Sequence, residues 1–148
     1  MRATAAAEIL PRFGRLAPSD IAEKRPGETV TVADTAAEAM LTRLLGAIAP
    51  AQVVGEEGIE TDPALLRLLG GTDPLWIVDP VDGTDNFAKG DARFGMIVAF
   101  AQGGETRAGW ILDPLNDRGG WAVKGEGAWM SGARLAAAAP APVSELAA

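Results

Sequence analysis

Neither cysteine nor histidine occurs in the 148 residues, and the two absences exclude most familiar catalytic apparatus. Without cysteine there is no disulfide framework, no thiolate nucleophile and no Cys-ligated zinc or iron–sulfur centre. A cytoplasmic location is the expectation that this composition permits. Without histidine there is no Ser-His-Asp triad, no imidazole base and no imidazole metal ligand. Cationic charge is also scarce: 13 Lys and Arg face 20 Asp and Glu, for a net charge of −7. Nucleic acid and anionic membrane are therefore not expected partners, since clustered basic residues bind both. No apolar run approaches the length of a membrane-spanning helix. The first ten residues are interrupted by Glu8 and followed by Pro11, Arg12 and Arg15, so they read as a short helix and not as a signal peptide. Chemistry is left to carboxylates, hydroxyls, backbone amides and a few Lys or Arg. Such oxygen ligands select the hard cations Mg²⁺, Mn²⁺ or Ca²⁺.

What is present is an ordinary globular composition, 48% apolar and 22% charged, with length enough for one real core. A helix is expected over 3–16, bent or broken near Pro11. Residues 19–28 are polar, with Pro26-Gly27 as a turn. Thr31 and Asp34 form a capping-box pattern. Behind them Ala37, Met40, Leu41, Leu44, Leu45 and Ile48 recur at helical spacing, which predicts a helix over 32–48. A short strand at 52–54 runs into the acidic loop 55–58. Asp62-Pro63 opens a further helix, closed by Gly70-Gly71. Strands are expected at 75–78, 94–101, 106–112 and 121–124, with Trp129 in a shorter one, separated by hairpin signals. Helices first and antiparallel strands after them predict a two-layer α+β fold, N-terminal helices packed on a largely antiparallel sheet. The domain is expected to occupy 1–135. The Ala/Pro-rich segment 136–148 reads as a tail or the start of another domain.

The informative stretch is 76–87, Trp-Ile-Val-Asp-Pro-Val-Asp-Gly-Thr-Asp-Asn-Phe. It follows an apolar strand and sets Asp79, Asp82 and Asp85 within seven residues. Crowded carboxylates repel and raise one another's pKa. A divalent cation reverses that cost. Gly83 permits a tight turn. Thr84, Asp85 and Asn86 are helix-start residues whose free amides suit a phosphate. Metal ions can bridge the acids and the phosphate, clamping the attacking and leaving oxygens of a displacement. The pattern therefore points to hard-cation phosphoryl hydrolysis. It is not an EF-hand, whose oxygen ligands alternate around a glycine at the sixth position. Taken alone, Glu56 and Glu57 are a solvated acidic loop, which lies beside Asp79 only if the strands at 52–54 and 75–78 are neighbours. On the same footing Asp34 is a helix cap, Lys24 a surface lysine, and Trp76, Trp110, Trp121 and Trp129 are packing residues.

These pieces in this order resemble the inositol monophosphatase family of Mg²⁺-dependent, Li⁺-sensitive sugar phosphatases. The resemblance rests on Val30-Thr-Val-Ala-Asp34 leading to Glu38, Val54-Gly-Glu-Glu57, the 76–87 run, Ala108-Gly-Trp-Ile-Leu-Asp-Pro114 and Gly125-Glu-Gly-Ala-Trp-Met-Ser-Gly132. It implies that Glu56, Asp79 and the carbonyl of Val81 hold a first Mg²⁺ near the Thr84 hydroxyl, and that Asp79 and Asp82 contribute to a second. Two or three ions, with Mn²⁺ as a substitute, would complete the site. The Gly83 and Thr84 amides would hold the phosphate. Thr84, hydrogen-bonded to Asp34, would help activate water, and Lys24 would lie near the site. The implied substrate is a small phosphorylated polyol, sugar or related metabolite; the chain is expected to form homodimers or otherwise self-associate. Asp85 and the segment 88–91 depart from the family pattern. The resemblance covers about 20–135 and contains no Trp-Asp-x-Ala-Ala-Gly motif, whose aspartate completes the family's second metal site. The alternative expectation is thus a metal- and phosphate-binding half that is catalytically incomplete.

Overall fold

Thr31 starts the longest helix, α2 (Val32–Ile48), with the reciprocal capping expected of it. Its hydroxyl accepts the Ala33 N–H while Asp34 accepts the Thr31 N–H. In this computed structural model, which describes residues 1–137, α2 lies against a seven-stranded sheet. Most of the segment 136–148 therefore lies outside the described residues, and the domain boundary expected near 135 stays an expectation. The sheet strands are β3 (Gln52–Gly55), β4 (Leu75–Asp82), β5 (Gly95–Gln102), β6 (Glu105–Asp113), β7 (Arg118–Val123), β8 (Gly127–Met130) and β9 (Ala133–Arg134), hydrogen-bonded in that order. Only β3 and β4 run parallel; the other neighbours are antiparallel. The expected two-layer α+β architecture is what the chain adopts.

Ala37, Leu41 and Leu45, one stripe of α2, share a buried cluster with Trp76, Val78 and Val98 of the sheet. Trp76 also donates its indole N–H to the Ala49 carbonyl, 3.2 Å away. Phe87 is fully buried at the other end of this core, between Phe13 and Phe94, with ring centroids 5.7 and 5.0 Å distant. The opposite sheet face is different. Ile97, Ile111, Gly120 and Met130 lie in register across it, and Ile111 is 51% exposed. Among the described residues no helix is long and apolar enough to cross a membrane.

Three local expectations need correction. The N-terminal helix is a turn, α1 (Arg2–Thr4), followed by a π-helix (Ala5–Ile9) that ends before Pro11. Leu10 bonds back to Ala5 and proline, lacking an N–H, cannot continue the ladder. The polar segment 19–28 holds most of a hairpin, β1 (Ile21–Arg25) with β2 (Glu28–Thr31), turned at Pro26 and Gly27, where Gly27 has φ +81°. Proline followed by glycine at positive φ is the chemistry of a type II turn. Lastly, the acidic loop is the first turn of a helix, α3 (Glu56–Thr61), followed by a 3-10 helix (Pro63–Gly70) capped by Asp62.

Candidate metal and phosphate site

Because β3 and β4 are parallel neighbours with Gly55 opposite Val78, the next residues, Glu56 at the start of α3 and Asp79 still within β4, follow that last pair side by side. This is the condition under which Glu56 ceases to be an ordinary solvated acid. Asp79 is followed by a bulge: Asp79 pairs with Ile97 and Asp82 with Gly95, so β4 carries one extra residue. Pro80 sits in that bulge, one of the few strand positions where a missing N–H costs nothing. The Asp79 carboxylate accepts the Val81 N–H at 3.2 Å, which fixes the turn toward Asp82.

Gly83 then takes φ +90°, and a Cβ there would approach the Arg93 carbonyl to 2.8 Å. Only glycine meets both demands. It caps α4 (Thr84–Ala88), the helix expected to open at Thr84; the Asn86 and Phe87 amides return to the Gly83 carbonyl. Asn86 donates to the Arg93 carbonyl at 2.7 Å and closes the loop. Thr84 and Asp85 occupy first-turn positions, whose amides have no partner within a helix.

The Thr84 hydroxyl faces two acceptors, the Asp34 carboxylate at 3.0 Å and the Val81 carbonyl at 2.9 Å. One proton is shared between them. Asp34 is 2% exposed and its other oxygen accepts both the N–H and the hydroxyl of Thr31. Burial pushes its pKa up, opposed by the hydrogen bonds from Thr31 and Thr84. Capping and a link to Thr84 are therefore simultaneous properties of Asp34, not alternatives.

Asp79 is the most perturbed group, pushed up to about 7 by burial first, then by Glu56 and Asp82. The Val81 N–H opposes this only in part, and no basic group is among the major influences. Asp85 stands apart: it accepts from Thr29 of the hairpin and lies 3.9 Å from Lys89. The three acids of the 76–87 stretch thus divide into a pair, Asp79 and Asp82, and an outlier.

A hard divalent cation fits the chemistry of this donor set, which is wholly oxygen and short of positive charge around Asp79. The side chains do not converge as they stand. Among the described residues no three Asp or Glu side chains meet around one ion position. Glu56 is instead engaged by Lys24, whose ammonium lies 3.0 Å from Glu56 Oε1 and 2.6 Å from Glu57 Oε1. Lys24 is no surface lysine, its side chain being 8% exposed. Its neighbours in sequence did not mark it beyond the Pro26-Gly27 turn that builds its hairpin; only the family resemblance set it near the site. Glu38 was visible only as a residue on the Asp34 face of α2. It accepts the Glu57 and Gly58 amides at 2.8 and 2.7 Å and so anchors the start of α3 beside β4. A groove of about 500 Å³ lies elsewhere, between the end of α2 and strands β6 and β7, lined by Leu45, Trp76, Trp110 and Trp121; none of these acids borders it.

Known proteins share this fold and part of this sequence. The model of the inositol monophosphatase family matches residues 1–147. The chain is 34% identical to the Nus factor SuhB of Pseudomonas aeruginosa over 136 residues, covering 90% of this chain and 48% of that protein. It is 36% identical to the histidinol-phosphatase of Mycobacterium tuberculosis over 124 residues, 79% of this chain and 44% of the relative. Among solved structures, a Thermotoga maritima IMPase superposes with a TM-score of 0.76 at 29% identity, covering 91% of this chain and 49% of that one. The chain spans about half the length of the curated relatives it matches.

Proposed function

The chain belongs to the inositol monophosphatase family, and on that premise we propose that it serves a Mg²⁺-dependent phosphomonoesterase acting on a small phosphorylated polyol or sugar. The observation that carries this reading is the position of Glu56 and Asp79, each one residue beyond the last parallel pair Gly55–Val78, next to a loop that presents Thr84 to Asp34. Glu56, Asp79, Asp82 and the Val81 carbonyl are the groups that would hold the cation. When bound, a divalent ion supplies charge to a phosphoryl oxygen and makes water a better nucleophile. The chain's own groups do the rest. Gly83 and Thr84 offer amides to the phosphate. Thr84, donating to Asp34, keeps its lone pairs directed toward a water that it can orient. Asp34, buried and already bonded by Thr31, holds that hydroxyl in place. With Mg²⁺ or Mn²⁺, phosphate release from inositol phosphate, histidinol phosphate or a sugar phosphate is the expected result. It should fall at least about a hundredfold in Thr84→Ala, which keeps the carboxylates but loses the oriented hydroxyl. Unchanged turnover in that variant removes Thr84 from the chemistry.

A second reading is that the described residues bind cation and phosphate without turning over, since no three of their acids converge on one ion position. Calorimetric binding of Mg²⁺ and inorganic phosphate with no hydrolysis of any phosphomonoester would select it.

The open sheet face around Ile97, Ile111 and Met130 is where we place the self-association expected from the sequence, since contiguous exposed apolar surface favours association. Sedimentation velocity should show a concentration-dependent shift to a dimer or larger species, abolished by Ile111→Glu. A concentration-independent monomer ends the idea.

A further inference from the structure

The hairpin β1–β2 straddles the acidic site. Arg25 pairs with Glu60 of α3, and Thr29 donates to Asp85 of α4. Beside the first of these attachments, β1 delivers the Lys24 side chain to Glu56 and Glu57. A mostly buried ammonium is costly unless fully paired, so the two carboxylates and the lysine stabilise one another. The arrangement has a second consequence. Glu56 has one carboxylate, and the oxygen that faces Lys24 is engaged by a cation the protein already owns. Asp79, one step across the parallel strands, has no such partner among the described residues and keeps its unfavourable neighbours. The sheet thus sets the two acids together, while the hairpin draws one of them toward Lys24.

We infer that Lys24 is a tethered counter-cation that competes with the divalent ion for Glu56, so that ion binding displaces the ammonium and loosens the β1–β2 hairpin. The inference rests on the metal-dependent reading above and goes beyond it by assigning the hairpin a gating role in ion affinity. Two linked consequences follow, because competition is reciprocal: removing Lys24 strengthens ion binding, and ion binding weakens the attachment of the hairpin.

The test is calorimetric titration of the full chain with Mn²⁺, paired with amide hydrogen exchange of residues 21–31. Lys24→Gln should bind Mn²⁺ about tenfold or more tightly than the parent, a coupling of ordinary size between linked sites. Lys24→Arg, which keeps the charge, should remain as weak as the parent. Lys89→Gln makes the same charge change on α4 and controls for general electrostatics; it should shift affinity by less than about twofold, as screened exposed charges do. In the parent, saturating Mn²⁺ should speed exchange in the hairpin several-fold. In Lys24→Gln, Mn²⁺ should leave it unchanged. Circular dichroism in EDTA verifies that each variant is folded, and the exchange measurement on the parent needs no variant at all. Equal affinities for parent and Lys24→Gln, or a hairpin that becomes more protected in the parent with Mn²⁺, overturn the competition while leaving the metal reading intact. Failure of both proteins to bind Mn²⁺ or Mg²⁺ overturns the metal reading and this inference with it.

Discussion

Asp79→Asn should raise the melting temperature of the chain in EDTA at pH 8 and, in the same protein, abolish stabilisation by Mg²⁺. The two effects have one cause. Asp79 is forced to ionise among Glu56 and Asp82 in a partly buried position, and its pKa is pushed up from the model-peptide value of 3.8 to about 7. A carboxyl whose folded pKa exceeds its unfolded pKa binds more protons when folded. Stability from this group is therefore greatest below the unfolded value, falls as pH rises through the window from about 4 to 7, and stays low above it. Asp34, Glu38 and Glu57 are raised as well, by burial first in each case, and act in the same direction. Partial exposure of Asp79 reduces the full linkage figure, leaving a loss on the order of 2 kcal/mol between pH 5 and 8. Asparagine keeps the acceptor for the Val81 N–H and removes the charge, so that loss largely disappears. Cation binding needs the charge. Where the parent gains about 2.7 kcal/mol at a hundred times its dissociation constant, the variant should gain nothing measurable. Thermal unfolding at pH 5 and 8, with EDTA or Mg²⁺, checks all four corners. A variant less stable than the parent at pH 8 in EDTA would falsify the repulsion account.

Gly55→Ala should be the most destabilising single methyl in the molecule. Gly55 has an ordinary negative φ, and backbone freedom is not the reason for its identity. A methyl placed on it would overlap the Glu38 carboxylate outright. That carboxylate cannot step aside freely, because it is buried and accepts the Glu57 and Gly58 amides. Displacing it leaves the start of α3 without its acceptors and a buried charge without donors. Two hydrogen bonds to a charged group are worth about 3–5 kcal/mol together. The damage extends to function, since α3 begins with Glu56 and its anchoring is what holds that residue next to Asp79. The check is a double-mutant cycle in chemical denaturation. Glu38→Ala alone should cost nearly as much, and adding Gly55→Ala to it should cost little more, because the clashing group is gone. Additive losses would show that Gly55 is required for another reason.

Local chemistry in the chain determined a good deal. The α2 boundaries followed from Thr31, Asp34 and the apolar stripe behind them, because capping and 3.6-residue periodicity are satisfied within one short segment. The start of α4 at Thr84 and the tight turn at Gly83 were legible for the same reason, and so was the all-oxygen character of any ion site in a chain lacking cysteine and histidine. The hairpin β1–β2 was only half legible. Its turn is written in Pro26-Gly27, but the flanking residues are polar and alternate weakly, so no buried face declared the strands.

For residues far apart in sequence, the family resemblance named roles, but only the tertiary structure supplied the physical reason. Nothing local distinguishes Glu56 from any acid in a solvated turn; the parallel pairing of β3 with β4 does so by setting it against Asp79. Nothing local distinguishes Lys24 from a surface lysine, or tells that Glu38 serves a helix nineteen residues downstream. A carboxylate's role depends on which charges lie within a few ångströms, and strand pairing sets those distances. The sequence by itself determined that Asp79, Asp82 and Thr84 share one loop. Packing of β3, α2 and the hairpin around that loop decided which charges oppose Asp79 and which cation already holds Glu56.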